Sequence, residues 1–138
     1  MRSRLLSAVC IAAACAFLTG CNIEGYITDQ TNTETYVKSL SLCGDKYFTI
    51  ESGGATRNVP LEAVSRIVMA NEETRTVGGH LYFCANVEFR DGSKLEAKNK
   101  SNTPLTYILV SSSLCGESQK GHYTISLANV YKAIIKSN

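Results

Sequence analysis

The sequence predicts an all-β fold, a small barrel or sandwich of short antiparallel strands, and three observations carry that prediction. Leu81, Phe83, Ala85, Val87 and Phe89 alternate with Tyr82, Cys84, Asn86 and Glu88, the period of a strand with one apolar face. Asp91-Gly92 follows at once, a short-range hairpin signal, and Lys94-Leu95-Glu96-Ala97 starts the return. A strand–turn–strand pattern also occurs twice, as set out below. The chain divides into residues 1–20 as an N-terminal leader, 21–35 as a polar tether headed by Cys21, and 36–138 as a single β domain.

Residues 22–35 are rich in Thr, Asn, Asp and Glu and read as lacking an apolar period. As a flexible tether they would span roughly 20 Å. Leu61 to Ala70 has apolar residues at 61, 64, 67 and 68, which suits a short amphipathic helix, but a repeat argues for strand. Residues 59–68 read Val-Pro-Leu-Glu-Ala-Val-Ser-Arg-Ile-Val, and residues 125–134 read Ile-Ser-Leu-Ala-Asn-Val-Tyr-Lys-Ala-Ile. Apolar residues coincide at positions one, three, six, nine and ten, and Arg66 falls on Lys132. Upstream of each lies Ser-Leu-Cys-Gly, at 41–44 and at 113–116. A duplicated unit of about thirty residues, with a longer loop in its first copy, is the expectation. Lys98 to Pro104 reads as a loop, and Tyr107-Ile108-Leu109-Val110 as a buried strand.

The shared spacing of the duplicated segment is similar to the end of SH3-like small barrels, where a single 3-10 turn links the last two strands. Val87 to Ser93 is similar to the bent first strand of such barrels. The resemblance covers about fifty residues and bears on fold alone.

The first residues have a different character. Arg2 and Arg4 precede an apolar run from Leu5 to Leu18, the order of a secretory signal peptide. The run is shorter than the ~20 apolar residues a membrane span needs. Leu18-Thr19-Gly20-Cys21 then resembles the lipobox of bacterial lipoproteins. The resemblance implies a diacylglyceryl group on the Cys21 thiol and cleavage between Gly20 and Cys21. Two or three acyl chains hold a protein stably at a membrane where one does not. Asn22, where Asp would favour the inner membrane, points to the outer membrane facing the periplasm.

Removing the leader removes Arg2 and Arg4, so the formal charge of +2 leaves with it and the remainder is neutral. Basic residues are scattered from Lys38 to Lys136, whereas a nucleic-acid binder shows a basic stripe; that class is rejected. Cys43, Cys84 and Cys115 remain for the domain. In an oxidising compartment one bridge can form. Cys43 with Cys115, a pair that includes Cys84, and no bridge at all stay open. The first is the candidate disulfide, because the two cysteines occupy like positions in the two Ser-Leu-Cys-Gly segments.

Catalytic and metal signals are weak, and neither a cofactor nor a metal site is expected. No Cys-x-x-Cys pair occurs, and His80 and His122 have no zinc-site spacing to any cysteine. His80 and Cys84 share a strand face but stand ~13 Å apart. Ser111-Ser112-Ser113 lies outside any nucleophile elbow. Glu72 and Glu73, near Arg75, read as a solvated loop. Seven tyrosines and no tryptophan leave strand filler and a binding rim as the readings of Tyr36, Tyr47, Tyr82, Tyr107, Tyr123 and Tyr131. The expected protein is a membrane-anchored envelope lipoprotein and not an enzyme. It would bind or scaffold another envelope protein through a sheet edge or its tyrosine-bearing face. The competing expectations are a small periplasmic hydrolase or thiol enzyme and a surface-displayed lipoprotein.

Overall fold

The computed structural model describes residues 23–137; Gly20 and Cys21, the cleavage and lipidation positions, lie outside the described residues. Ile23 and Ile27 are buried on one side of an extended segment, so the chain opens directly into its first strand, β1 (Ile23–Asp29). β2 (Glu34–Ser41) returns beside it through a turn in which Asn32 takes φ 68°. The tether expected over residues 21–35 is thereby corrected, since most of it is sheet. Its apolar period was masked because one of the inward positions is Gly25. That position excludes a side chain: a Cβ would lie 2.6 Å from the Ile134 carbonyl oxygen.

The chain continues through β3 (Tyr47–Ser52), β4 (Ala55–Pro60), a 3-10 turn (Leu61–Ala63), β5 (Val64–Val77), β6 (His80–Phe89) and β7 (Lys94–Leu95). Then come β8 (Thr106–Leu109), β9 (Ser113–Ser118), β10 (Gly121–Ser126), a second 3-10 turn (Leu127–Asn129) and β11 (Val130–Ser137). The helix alternative for Leu61–Ala70 is absent; a three-residue turn leads straight into strand. The expected strand at Leu81–Phe89, the hairpin at Asp91-Gly92 and the strand at Tyr107–Val110 are β6, the β6–β7 turn and β8, the last ending at Leu109. All strands join one antiparallel sheet curled into a half-barrel, in the order β10-β9-β2-β1-β11-β5-β6-β8-β3-β4, with β7 beside β6.

This order is two five-stranded halves meeting at the β11–β5 seam. β3, β4, the first 3-10 turn and the start of β5 match β9, β10, the second turn and the start of β11 at one constant spacing, Tyr47 with Ser113 and Val64 with Val130. Burial matches too: Phe48 and Leu114, Leu61 and Leu127, Ile67 and Ala133, and Met69 and Ile135 are all buried pairs. At the seam Ile67 lies opposite Ala133, its own counterpart, flanked by Arg66 opposite Ile134 and Val68 opposite Lys132. A local two-fold axis therefore passes between residues 67 and 133.

The duplication covers ten of the eleven strands, with β7 and the loop after it unmatched. Its first copy is β1, β2, β3, β4, turn, β5; its second is β6, β8, β9, β10, turn, β11. The copies exchange strands: β1 and β2 pair with β9 and β11 of the second copy, while β6 and β8 pair with β3 and β5 of the first. Matching hydrogen bonds mark the exchange. The backbone N–H of Gln30 donates to Asn129 O and that of Arg90 to Ala63 O. The Gln30 side chain then donates to Val130 O at 2.8 Å and Arg90 to Val64 O at 3.0 Å. Arg90 also reaches Ile135 O across the seam at 3.2 Å.

The Ser-Leu-Cys-Gly segments do not share this spacing, which corrects the expected start of the repeat. Cys43 follows the end of β2 at φ 55°, whereas Cys115 lies inside β9 and matches Thr49.

One apolar cluster fills the concave side, drawing on Ile27 and Leu114 from one half and Ile50 and Val87 from the other. Burying each such side chain contributes roughly 1.5–3 kcal/mol. Gly116 sets the distance between β9 and β2, because a Cβ there would strike Val37 and sit 2.6 Å from Lys38 O. Gly116→Ala is expected to lower stability by about 1–3 kcal/mol, the cost of overpacking, read as a lower urea midpoint at unchanged slope.

Candidate functional site

Cys43 and Cys115 form a disulfide with Cα atoms 5.2 Å apart at a sequence separation of 72. The pairing is that of the candidate, but its cause is different. β2 and β9 are neighbours, and Ser41 stands opposite Cys115, so the turn after β2 brings Cys43 alongside. The bridge ties the first copy to the second on the exposed side of the sheet.

Cys84, the remaining cysteine of the domain, is free and fully buried on β6. Its thiol donates to Ala97 O at 3.2 Å, and burial pushes its pKa up, away from the reactive thiolate. The cover comes from the loop after β7. Ala97 N donates to Asn86 Oδ1 at 2.8 Å, and Leu105 N returns to Ala97 O. This loop closes the outer face of one half over Cys84 and Asn86.

The corresponding outer face of the other half has no such loop, because β1 passes straight into β2 at Asp29–Thr33. There Tyr26 stands opposite Tyr36 and the rings pack at 5.1 Å. The Lys136 ammonium lies 5.1 Å over the Tyr26 ring. Tyr36 donates to Glu24 Oε2 at 2.6 Å, which holds the Tyr36 proton and raises its pKa to about 12. A shallow groove of about 250 Å³ runs beside this face, lined by Tyr36, Lys38, Glu117, Ser118 and Gln119. Of the six tyrosines read as strand filler or rim, Tyr82 is buried, Tyr36, Tyr107 and Tyr123 are half-buried, and Tyr47 and Tyr131 are exposed.

Glu117 and His122 are direct partners on the β9–β10 hairpin, with Nδ1 3.0 Å from the carboxylate; His122 Nε2 is 3.1 Å from Thr124 Oγ1. This acid–imidazole–hydroxyl line has the order of a nucleophile relay. It lies on a solvated edge hairpin, with the His122 side chain 65% exposed, where water competes for every bond. His80 sits exposed at the far end of the sheet. Among the described residues, no three His, Cys, Asp or Glu side chains gather as metal ligands.

The stretch with Glu72, Glu73 and Arg75, read as a loop, is strand. Ala70 faces Cys84 and Thr74 faces Phe83, so residues 71–73 bulge out of the pairing. Beyond the bulge β5 and β6 form a two-stranded arm closed by Gly78-Gly79, both at positive φ. Arg75 pairs with Glu51 and lies 4.5 Å over the Tyr107 ring, which ties down the arm's base. Val77 and Leu81 stay exposed on it, and β5 pairs with β11 only over 66–68, leaving the outer edge of the arm unpaired among the described residues.

No family model, curated protein or solved structure matches this chain. Sequence reading placed the cysteine pair and the strand tyrosines. It missed Tyr26 within the supposed tether, and it missed the arm. The signals available were the alternation Ile23, Gly25, Ile27 and the Gly78-Gly79 turn.

Replacing both Cys43 and Cys115 with Ser is expected to cost about 4 kcal/mol in chemical denaturation, the loop-closure value for a bridge of this span. In the native protein Cys84 should resist alkylation, and it should react at once in denaturant. The raised Tyr36 pKa predicts that one tyrosine titrates near 12 in the ultraviolet phenolate band, returning toward 10 in Glu24→Gln. The native state holds this proton more tightly than the unfolded chain, so the stabilisation is present below pH 10 and is lost as pH rises through 12.

Proposed function

We propose that this protein is a lipid-anchored module of the bacterial cell envelope, held through Cys21 at the outer membrane on its periplasmic side. It binds or scaffolds another envelope protein and catalyses no reaction. The observation that carries the reading is the Cys43–Cys115 bridge, which stands downstream of an export-type leader. Structural disulfides persist in oxidising compartments and are rare in the cytosol. The bridge and the leader are independent features that agree on one location.

The start of the fold also fits. β1 begins two residues after Cys21 and pairs with β11, so both chain ends leave the sheet at one end, Ile23 beside Ser137. The arm leaves at the opposite end, because β5 runs antiparallel to β11. Its unpaired edge offers backbone N–H and C=O groups to an extended segment of a partner, with Val77 and Leu81 as apolar contacts.

The full-length chain and Cys21→Ala, expressed in a Gram-negative host, are compared by intact mass and membrane fractionation. The expected result is a lipid-sized mass gain with membrane retention, both lost in the variant. In the same cells, a photo-crosslinker at Val77 should trap one discrete protein and one at Tyr131 should not. A soluble, unmodified wild type would remove the anchor, and equal labelling at both positions would remove the arm from the binding role.

A further inference from the structure

The two halves of the sheet are built alike, yet one outer face is covered and the other bare. Asn86 and Tyr26 occupy matching positions, each opposite a matched residue of the seam strands, Val68 and Ile134. Cys84 and Glu24 match in the same way, opposite Ala70 and Lys136. On the covered face, Asn86 and Cys84 are capped by the backbone at Ala97. On the bare face, β1 and β2 turn tightly into each other. Tyr26, Tyr36 and Ile134 stay half-exposed there, flanked by the exposed Lys38 and Lys136.

We propose that the bare outer face of β2, β1 and β11 lies on the lipid headgroups of the membrane that holds the anchor. The proposal rests on the lipid-anchor reading and adds a surface to it. Cys21 is two residues from Ile23, so its Cα is within about 7 Å of the sheet whatever path the chain takes. Glu24, the next residue, already belongs to this face. An acyl group on Cys21 thus holds this face at the bilayer surface. The chemistry suits that position: tyrosine rings with polar tips and lysines on long stems are the side chains that settle at the headgroup level. Two carboxylates share the face: Glu24 is hydrogen-bonded by Tyr36, and Glu34 is exposed at the start of β2, opposite Thr28 and away from the Cys21 end.

The chain contains no tryptophan, which permits a direct test. Tyr26→Trp and Val77→Trp are made separately in the full-length protein, purified in acylated form as judged by intact mass, and reconstituted in vesicles of phosphatidylcholine and phosphatidylglycerol. Brominated phosphatidylcholine, a short-range quencher, replaces the ordinary lipid in a parallel set. The expected result is at least a ~2-fold fall in emission from the indole at position 26, since an interfacial face sits about 5–10 Å into the headgroup boundary. Position 77, on the arm, should change little. Adding Lys38→Glu and Lys136→Glu should weaken the quenching at position 26 while leaving the acyl mass intact. Acylated protein whose two positions respond alike would overturn the proposal and leave the anchor standing. Shielding of position 26 from aqueous iodide without bromine quenching would assign the face to a second copy or a protein partner, and it also overturns the proposal. Protein that never acquires the acyl mass defeats the anchor reading and this proposal together.

Discussion

Antiparallel pairing of β11 with β5 is the contact on which the rest of the sheet depends. Ile67 and Ala133 face each other across it, and every other strand is placed outward from that pair. Because the copies exchange their first two strands, neither half of the sheet is made from one continuous stretch of chain. β1 must find β11 at the other end of the sequence before either can bury its apolar face. Such non-local pairing defers the gain from burial until long loops have closed. Arg90, bonded to Glu62, Val64 and Ile135 carbonyls, and the Cys43–Cys115 bridge both hold this exchange together.

A duplicated fold makes its asymmetries informative, since each half serves as a control for the other. The loop after β7 covers one outer face and turns Cys84 into a buried, inert thiol. The other face keeps a tyrosine pair in partial contact with water. Likewise, the hairpin that links β5 to β6 in one half has no counterpart in the other, where β11 and β1 meet at the chain ends instead. The arm and the end where β1 meets β11 are therefore equivalent places in the architecture with different forms.

Much of the fold was legible in the residues. β6 declared itself through strict alternation, the turn after it through Asp91-Gly92, and both 3-10 turns through a matched Leu and Val spacing. These are local signals, set by side-chain period and backbone preference. β1 escaped because Gly25 occupies an inward position and therefore adds nothing to an apolar count. The arm escaped because its residues bury little, so charge and not period dominates the stretch. The repeat was visible but started in the wrong place, since two identical four-residue segments outweighed a longer match of burial with few identities. The cysteine pair was anticipated by an equivalence that the fold does not contain.

The amino-acid sequence by itself determined the all-β class, the two turns and the existence of a duplication. Each follows from side-chain character over short stretches, where neighbours along the chain decide the outcome. The tertiary structure alone decided that the copies trade strands, that Cys43 meets Cys115, and that one outer face is covered while the other lies open. These depend on which strands become neighbours across the β11–β5 seam, and burial of a shared apolar core selects that arrangement through contacts between distant residues.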